Sequence, residues 1–282
     1  MTTLDQSLRA GIETLTRAAV GSPRLTAETL LMFVLNCDRA HLFAYPERIF
    51  TADESSRWDA ALAQRAQGVP TQYITGHQEF WGLDLLVSPA VLIPRPETEH
   101  VVEVVFELAR GLSTPRIVDV GTGSGCIALA LAKELPNAGI HAVDISSAAL
   151  EIARTNAARH GLRDRVQFQK SDLLDVFATD TAGFDFVVSN PPYVSDLDKA
   201  SLQREVRDFE PHAALFAGTT GLDVIERLIP QAQRALKCGG WLVMEIGLGQ
   251  DAALETLLRE WSARTFTNDL QGIPRVVQAQ HP

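Results

Sequence analysis

Over the first seventy positions apolar residues recur every three or four places. Leu4, Leu8, Ile12, Leu15 and Ala19 fall on one helical stripe. Ser22 and Pro23 read as an N-cap followed by a proline at the first helical position, opening a helix that carries Leu25 to Leu35. Thr51-Ala52-Asp53-Glu54 has the form of a capping box, and the helix behind it is expected to bury Trp58, Leu62 and Ala66 before ending at Gly68 and Pro70. Residues 1–70 therefore read as a small helical domain with solvated faces of mixed charge, serving either as a binding or lid element or as a packing subdomain. The period then changes. Tyr73-Ile74 and the run from Phe80-Trp81 through Gly82 to Val87 predict a β-hairpin linker over residues 71–94.

In Leu92-Ile93-Pro94-Arg95-Pro96-Glu97-Thr98-Glu99 the prolines impose an extended loop, followed by a helix through Val101, Val102, Val105, Phe106 and Leu108. Acids suit the first turn of that helix, while Arg95 and Thr98 are candidates to close over a ligand. From Arg116 strands and helices alternate. The expected strands are 116–120, 139–144, 166–169, 184–189 and 241–246, with helices at 126–135, 148–160 and 221–237, the last stopped by Cys238-Gly239-Gly240. Such alternation implies a doubly wound, mostly parallel sheet, assigned to residues 95–282, with Gly272 to Gln278 as a final and antiparallel edge strand.

Composition narrows the picture without redirecting it. The 282 residues are 46% hydrophobic and 21% charged, as in ordinary globular proteins. A net charge of −10 argues against a long footprint on nucleic acid, which needs a basic stripe, though not against a local basic patch. Cys37, Cys126 and Cys238 are far apart and form no C-x-x-C, and the seven histidines form no H-E-x-x-H, so neither a disulfide frame nor a metal site is expected. No apolar run approaches the roughly 18 residues of a membrane span, and Met1-Thr2-Thr3-Leu4-Asp5-Gln6 lacks the features of a signal peptide; a cytoplasmic protein without a membrane partner is expected.

Chemistry is concentrated at the ends of the predicted strands. The apolar run Phe184 to Val188 stops at Ser189-Asn190-Pro191-Pro192-Tyr193. Two consecutive prolines donate no N–H, so neighbouring carbonyls are left to face a ligand; Asn190 adds an acceptor and Tyr193 a flat ring. The set suits a planar group bearing an NH2, although a plain Asn-Pro turn would also close a strand. Upstream, Gly121-Thr122-Gly123-Ser124-Gly125 lies between a strand and a helix, where glycines let a ligand approach the backbone. Cys126 stands where a dinucleotide fingerprint has its third glycine, which disfavours a nicotinamide dehydrogenase. Asp119, Asp144 and Asp172 sit at successive strand tips. Asp144 is placed to accept ribose hydroxyls, Asp172 to accept an adenine amino group with Leu173 packed on the ring, and each acid alone could equally be a cap or a loop charge.

The glycine turn preceded by Asp119 resembles motif I of the S-adenosylmethionine-dependent methyltransferases. With Asn190-Pro191-Pro192-Tyr193 the chain as a whole resembles the HemK/PrmC family of peptide-chain release factor glutamine N5-methyltransferases. The likeness extends over Ala27-Glu28 and Leu30-Leu31, Tyr73 to Gly76, Glu79-Phe80-Trp81, Leu92 to Glu99, Phe209-Glu210-Pro211, Gly221-Leu222, Gly272 and Arg275-Val276-Val277. Asn-Pro-Pro-Tyr is shared by amino-methyltransferases of several substrates, whereas Ile93-Pro94-Arg95-Pro96-Glu97-Thr98-Glu99 is the more specific segment. Leu173 departs from relatives that carry an aromatic residue there.

The resemblance implies a class I fold with a seven-stranded sheet, S-adenosylmethionine as cofactor, and methyl transfer to the glutamine amide of the Gly-Gly-Gln loop of release factors. It implies that the helical domain recognises that protein and, together with the acidic net charge, that nucleic acid is not bound directly; a monomer is expected because nothing in the sequence demands more. Asn190, Pro191, Pro192 and Tyr193 are the catalytic candidates. Asp119, Gly121, Thr122, Gly123, Ser124, Gly125, Asp144, Asp172, Leu173, Asn190, Arg95 and Thr98 are the cofactor candidates. Glu210 and Glu245 are weaker candidates: either could orient the site, while a loop charge and a strand-end acid are the simpler readings. The alternatives are an amino-methyltransferase acting on an exocyclic amine of RNA or DNA, and a non-catalytic protein that docks on the translation machinery.

Overall fold

The structure is a computed structural model that describes residues 2–179 and 182–282. Met1, with which the expected helical domain begins, lies outside the described residues. The chain forms two compact units, Met1–His77 with Gln203–Phe209, and Gln78–Leu202 with Glu210–Pro282. The first therefore runs past position 70 and also recruits a short helix, Arg204–Phe209, from far along the chain.

In the helical unit Leu4–Arg17, Pro23–Leu35, Arg39–Ala44 and Ala52–Ala66 pack around Leu4, Leu15, Leu30, Leu31 and Trp58. The capping box at Thr51 forms in both directions, Glu54 N–H donating to Thr51 Oγ1 at 3.2 Å and Thr51 N–H to Glu54 Oε2 at 2.9 Å. Ser22 stands at the N-cap position without capping. Its backbone is left-handed, φ 47°, and its side chain makes no cap hydrogen bond. The helix Ala52–Ala66 buries Trp58, Ala61 and Arg65, while Leu62 and Ala66 are only half-buried. Arg65 is tolerated inside because its guanidinium meets Glu205 and the Val69 carbonyl. Glu28 is buried between Arg24 and Arg39, at 3.2 and 2.9 Å.

The expected strand at Tyr73-Ile74 is instead a helical turn, Thr71–Thr75. Tyr73 and Ile74 donate their N–H groups to the Pro70 carbonyl, and Gly76, in the left-handed region, ends the turn. The hairpin follows as β1, His77–Phe80, and β2, Leu83–Leu86. Trp81 and Gly82 both take positive φ, the backbone that a two-residue hairpin turn requires.

The second unit holds a seven-stranded sheet of β3 (Arg116–Val120), β4 (Gly139–Asp144), β5 (Val166–Lys170), β6 (Phe184–Ser189), β7 (Leu236–Glu245), β8 (Ser262–Asn268) and β9 (Pro274–Gln280). The order is β5-β4-β3-β6-β7-β9-β8; the first five are parallel, and β9 is antiparallel to both β7 and β8. Two differences from the expected elements stand out. β7 begins at Leu236, so Cys238-Gly239-Gly240 lie within the strand; pairing with β6 is irregular there, Leu236 opposite Phe184 and Trp241 opposite Phe186. β8 was not expected, because it is a mostly exposed edge whose polar residues carry little strand pattern, and it displaces β9 from the edge.

Alternate residues feed two cores. Ile117, Ile140, Phe186 and Val243 pack with Val101, Val105 and Leu129 on one face; Val118, Val143, Val187 and Leu242 pack with Ile225, Leu228 and Leu254 on the other. The order in which strands are added reverses between β3 and β6, the place where open parallel sheets leave a crevice at the carboxyl ends of their strands.

Candidate functional site

That crevice is occupied by a cavity of about 320 Å³. The ends of β3, β4, β5 and β6 each lend residues to it, and the Ala90–Thr98 and Pro211–Ala214 segments complete its walls. Of the residues singled out from sequence, Gly121, Thr122, Gly123, Ser124, Asp144, Asp172, Leu173, Asn190, Pro192 and Thr98 line it. Asp119, Gly125, Pro191, Tyr193 and Arg95 are not in its wall.

Asp119 lies beneath the glycine turn, fully buried. One of its oxygens accepts from Thr122 Oγ1 at 2.6 Å and from Ala128 N–H at 3.2 Å, so the acid ties the turn to the helix that follows. The other oxygen, Oδ1, has no hydrogen-bond partner. Burial, reinforced by the charge of Asp144, pushes the carboxyl up to about 7. Gly121, Gly123 and Gly125 all have positive φ, and at Gly121 and Gly123 a side chain would point into open space on the cavity side. Gly125 is needed for a different reason: a Cβ there would stand 3.2 Å from that of Ala153 in the neighbouring helix.

At the tip of β4, Asp144 accepts Gly123 N–H at 2.9 Å with one oxygen and Ser146 N–H at 2.8 Å with the other. Burial raises its carboxyl above the ordinary range. Each oxygen keeps a lone pair, so the pair can still accept two hydroxyls. Beyond β5, Asp172 is fixed by Arg227, Nη2 to Oδ2 2.6 Å, which leaves Oδ1 as an acceptor. Leu173 beside it takes a left-handed backbone, φ 49°. Two vicinal hydroxyls, an amino group and an apolar face thus have partners in one row, as an adenosyl group demands.

The opposite end is built around Asn190. Its Nδ2 donates to Thr98 Oγ1 at 3.0 Å, and Thr98 Oγ1 donates to Glu245 Oε2 at 2.6 Å. Tyr193 Oη donates to Glu245 Oε1 at 2.9 Å. Glu245 is 2% exposed, and burial raises its carboxyl. Burial and the adjacent Glu245 charge push the Tyr193 phenol well up, so it remains a donor. Arg95, read from sequence as closing over a ligand, instead pairs with Glu210, which also accepts Ile93 N–H. That buried acid fastens the loop before Pro96 to the segment beginning at Pro211, two walls of the same cavity.

Several supports have no signature in sequence. Asn156, fully buried in a helix, donates to the carbonyls of Ser124 and Leu86 and accepts from Leu86 N–H, bracing the glycine turn against β2. Gln250 donates to the carbonyls of Tyr193 and Gly221. Gly221 must lack a side chain, since a Cβ would fall 2.4 Å from the Tyr193 carbonyl oxygen. Only the Gly221-Leu222 pair hinted at this.

Two family models match the chain: PrmC N-terminal domain over residues 6–76 and Methyltransferase small domain over residues 103–208. The Release factor glutamine methyltransferase of Koribacter versatilis is 54% identical over 280 residues, 99% of each chain, and that of Xylella fastidiosa (strain 9a5c) is 42% identical over 96% of this chain and 98% of its own. Among solved structures, the N-terminal domain of human METTL16 in complex with SAH superposes with a TM-score of 0.52 at 20% identity, covering 79% of this chain and 84% of that one. The last likeness establishes the methyltransferase fold, and the full-length relatives carry the assignment further. The chain belongs to the release factor glutamine methyltransferase family.

Proposed function

We propose that this enzyme transfers a methyl group from S-adenosylmethionine to the side-chain amide N5 of the glutamine in the Gly-Gly-Gln loop of peptide-chain release factors. The observation that carries the acceptor chemistry is the state of Asn190: its NH2 is held by Thr98, so the amide atom free for the cavity is the carbonyl oxygen. An oxygen there takes an NH2, not a carboxylate or a phosphate. Asp144, Asp172 and the open glycine turn supply the acceptors and the bare backbone that fit the adenosyl part of the donor, and Asp119 Oδ1 is a buried acceptor beneath the same turn. When bound, S-adenosylmethionine brings a methyl group already activated by its sulfonium.

The chain's own task is placement. An amide nitrogen is a weak nucleophile because its lone pair is delocalised, and holding it in line is worth on the order of 7 to 11 kcal/mol at best. Asn190 Oδ1, in the cavity wall, accepts an amide hydrogen and stabilises the positive charge that grows on nitrogen. Tyr193, outside the wall of the cavity, has its hydroxyl anchored on Glu245. No base is needed before attack, since the proton becomes acidic only as the N–C bond forms. The helical unit docks the release factor in this reading, and the protein acts as a cytoplasmic monomer.

The decisive measurement is the mass of a release factor, and of its Gln→Ala loop variant, after incubation with the enzyme and S-adenosylmethionine. One added methyl on the first and none on the second is expected. Methylation of an RNA or DNA amine with an unmodified release factor would overturn the reading.

A further inference from the structure

We propose that Glu245 is the positioning residue of the acceptor site: through Thr98 it decides which atom of the Asn190 amide faces the cavity, and through a second hydrogen bond it holds the ring of Tyr193. What Asn190 accepts rests on the function proposed above; how Asn190 is oriented does not.

The logic is one of proton direction. The two ends of a side-chain amide have nearly the same size, so packing cannot tell oxygen from nitrogen, and only hydrogen-bond partners can. In its ionised form Glu245 accepts at both oxygens, from Thr98 and from Tyr193, and cannot donate. Thr98 has a single hydroxyl proton, and that proton is committed to Glu245 Oε2 at 2.6 Å. Thr98 can therefore meet Asn190 only as an acceptor, which obliges Asn190 to turn its NH2 toward Thr98 and its oxygen away. Were the order reversed, an NH2 would face an NH2, and the site would repel its substrate. The other carboxylate oxygen accepts the Tyr193 hydroxyl, so one buried acid organises both flanks.

Sheet register explains how Glu245 comes to be there. Ser189 of β6 lies opposite Met244 of β7, so Asn190, the first residue past β6, stands beside Glu245, the last residue of β7. Thr98, buried at the end of the Pro96–Thr98 turn, enters between them. Of the charged groups that act on Glu245, Glu97 raises its carboxyl and Arg275 lowers it.

The test uses the full-length enzyme and the variants Glu245→Gln, Thr98→Val and Thr98→Ser. For each, kcat and KM are measured with release factor, affinity for S-adenosylmethionine is measured by calorimetry, and hydrogen exchange at the Asn190 side-chain amide is followed by nitrogen-15 NMR without any substrate. Gln keeps a single acceptor for the two hydroxyls, so either the Thr98 hydroxyl reverses and Asn190 inverts, or the Tyr193 hydroxyl loses its acceptor. Glu245→Gln and Thr98→Val are expected to lower kcat about 100-fold, the scale of a misplaced reacting group. Cofactor affinity should stay within about threefold, while exchange at the Asn190 amide should accelerate by about tenfold or more as its held state opens. Thr98→Ser keeps the hydroxyl and should restore both readouts. The proposal is overturned if Thr98→Val loses cofactor affinity in step with kcat, if Thr98→Ser is as impaired as Thr98→Val, or if the Asn190 amide exchanges alike in all four proteins. If the wild-type enzyme leaves release factor unmethylated, the proposed function fails, and amide exchange still decides the role of Glu245.

Discussion

The two ends of the cavity both rest on buried carboxylates, yet they are assembled in opposite ways. At the glycine turn, Asp119 is held through one oxygen by Thr122 and Ala128, and Asp144 by Gly123 and Ser146, largely through backbone N–H groups close in the chain. At the acceptor end, Glu245 is satisfied by two side-chain hydroxyls, from Thr98, 147 positions away, and from Tyr193, 52 positions away. The first end is a product of local chain geometry. The second exists only once β6, β7 and the Pro96–Thr98 turn have come together. Local construction suits a cofactor recognised by shape and backbone; long-range construction suits a substrate group whose donor and acceptor sense must be read.

The strongest break in that contrast is Asn190→Ala, which removes the acceptor and leaves the glycine turn untouched. By analogy with losing one transition-state hydrogen bond, kcat should fall about 10² to 10³-fold, while cofactor affinity changes little. Full activity in that variant would show that Asn190 is a strand-ending turn and nothing more. Asp144→Ala is the mirror experiment. Loss of a charged acceptor is worth about 1.5 to 3 kcal/mol, so S-adenosylmethionine should bind roughly 10 to 100-fold more weakly, with kcat at saturation reduced far less. Unaltered affinity in a calorimetric titration would remove the ribose role.

A subtler contrast concerns pH. The Asp119 carboxyl is raised by burial, then by Asp144, to about 7 in the folded protein, above its ordinary value of 3.8. Between those values the folded state holds a proton that the unfolded chain has released. Stability of the ligand-free protein should therefore fall as pH rises through that window and level off above it. Asp119→Asn keeps an acceptor for Thr122 and Ala128 and removes the titration. Urea unfolding at several pH values should show a shallower slope in the variant, with a remainder from Asp144 and Glu245, which burial raises in the same direction. An identical slope would mean that Asp119 is already ionised when folded.

What could be read from the residues follows the same division. The glycine turn, the acids at three strand tips and the Asn190-Pro191-Pro192-Tyr193 loop were legible because strand, turn and ligand-facing atom lie within a few positions of each other. So were the capping box at Thr51 and the parallel strands with their apolar runs. Less legible was anything set by a distant partner. Arg95 looked like a ligand contact until Glu210 claimed it, and in a domain expected to have solvated charged faces Arg65 is buried against Glu205. Tyr73-Ile74 looked like a strand, but the Pro70 carbonyl and Gly76 made it a helical turn. β8 was invisible because an exposed edge needs no apolar alternation.

By itself, then, the sequence determined the doubly wound α/β architecture, the glycine turn with its strand-tip acids and the family, since each depends on periodicity, glycine placement or short motifs acting over a few residues. Only the tertiary structure decided that Glu245, read as a strand-end acid, governs Asn190 and Tyr193. The reason is physical: the direction of a hydrogen bond depends on which donor arrives opposite each acceptor, and that is settled by strand register and packing.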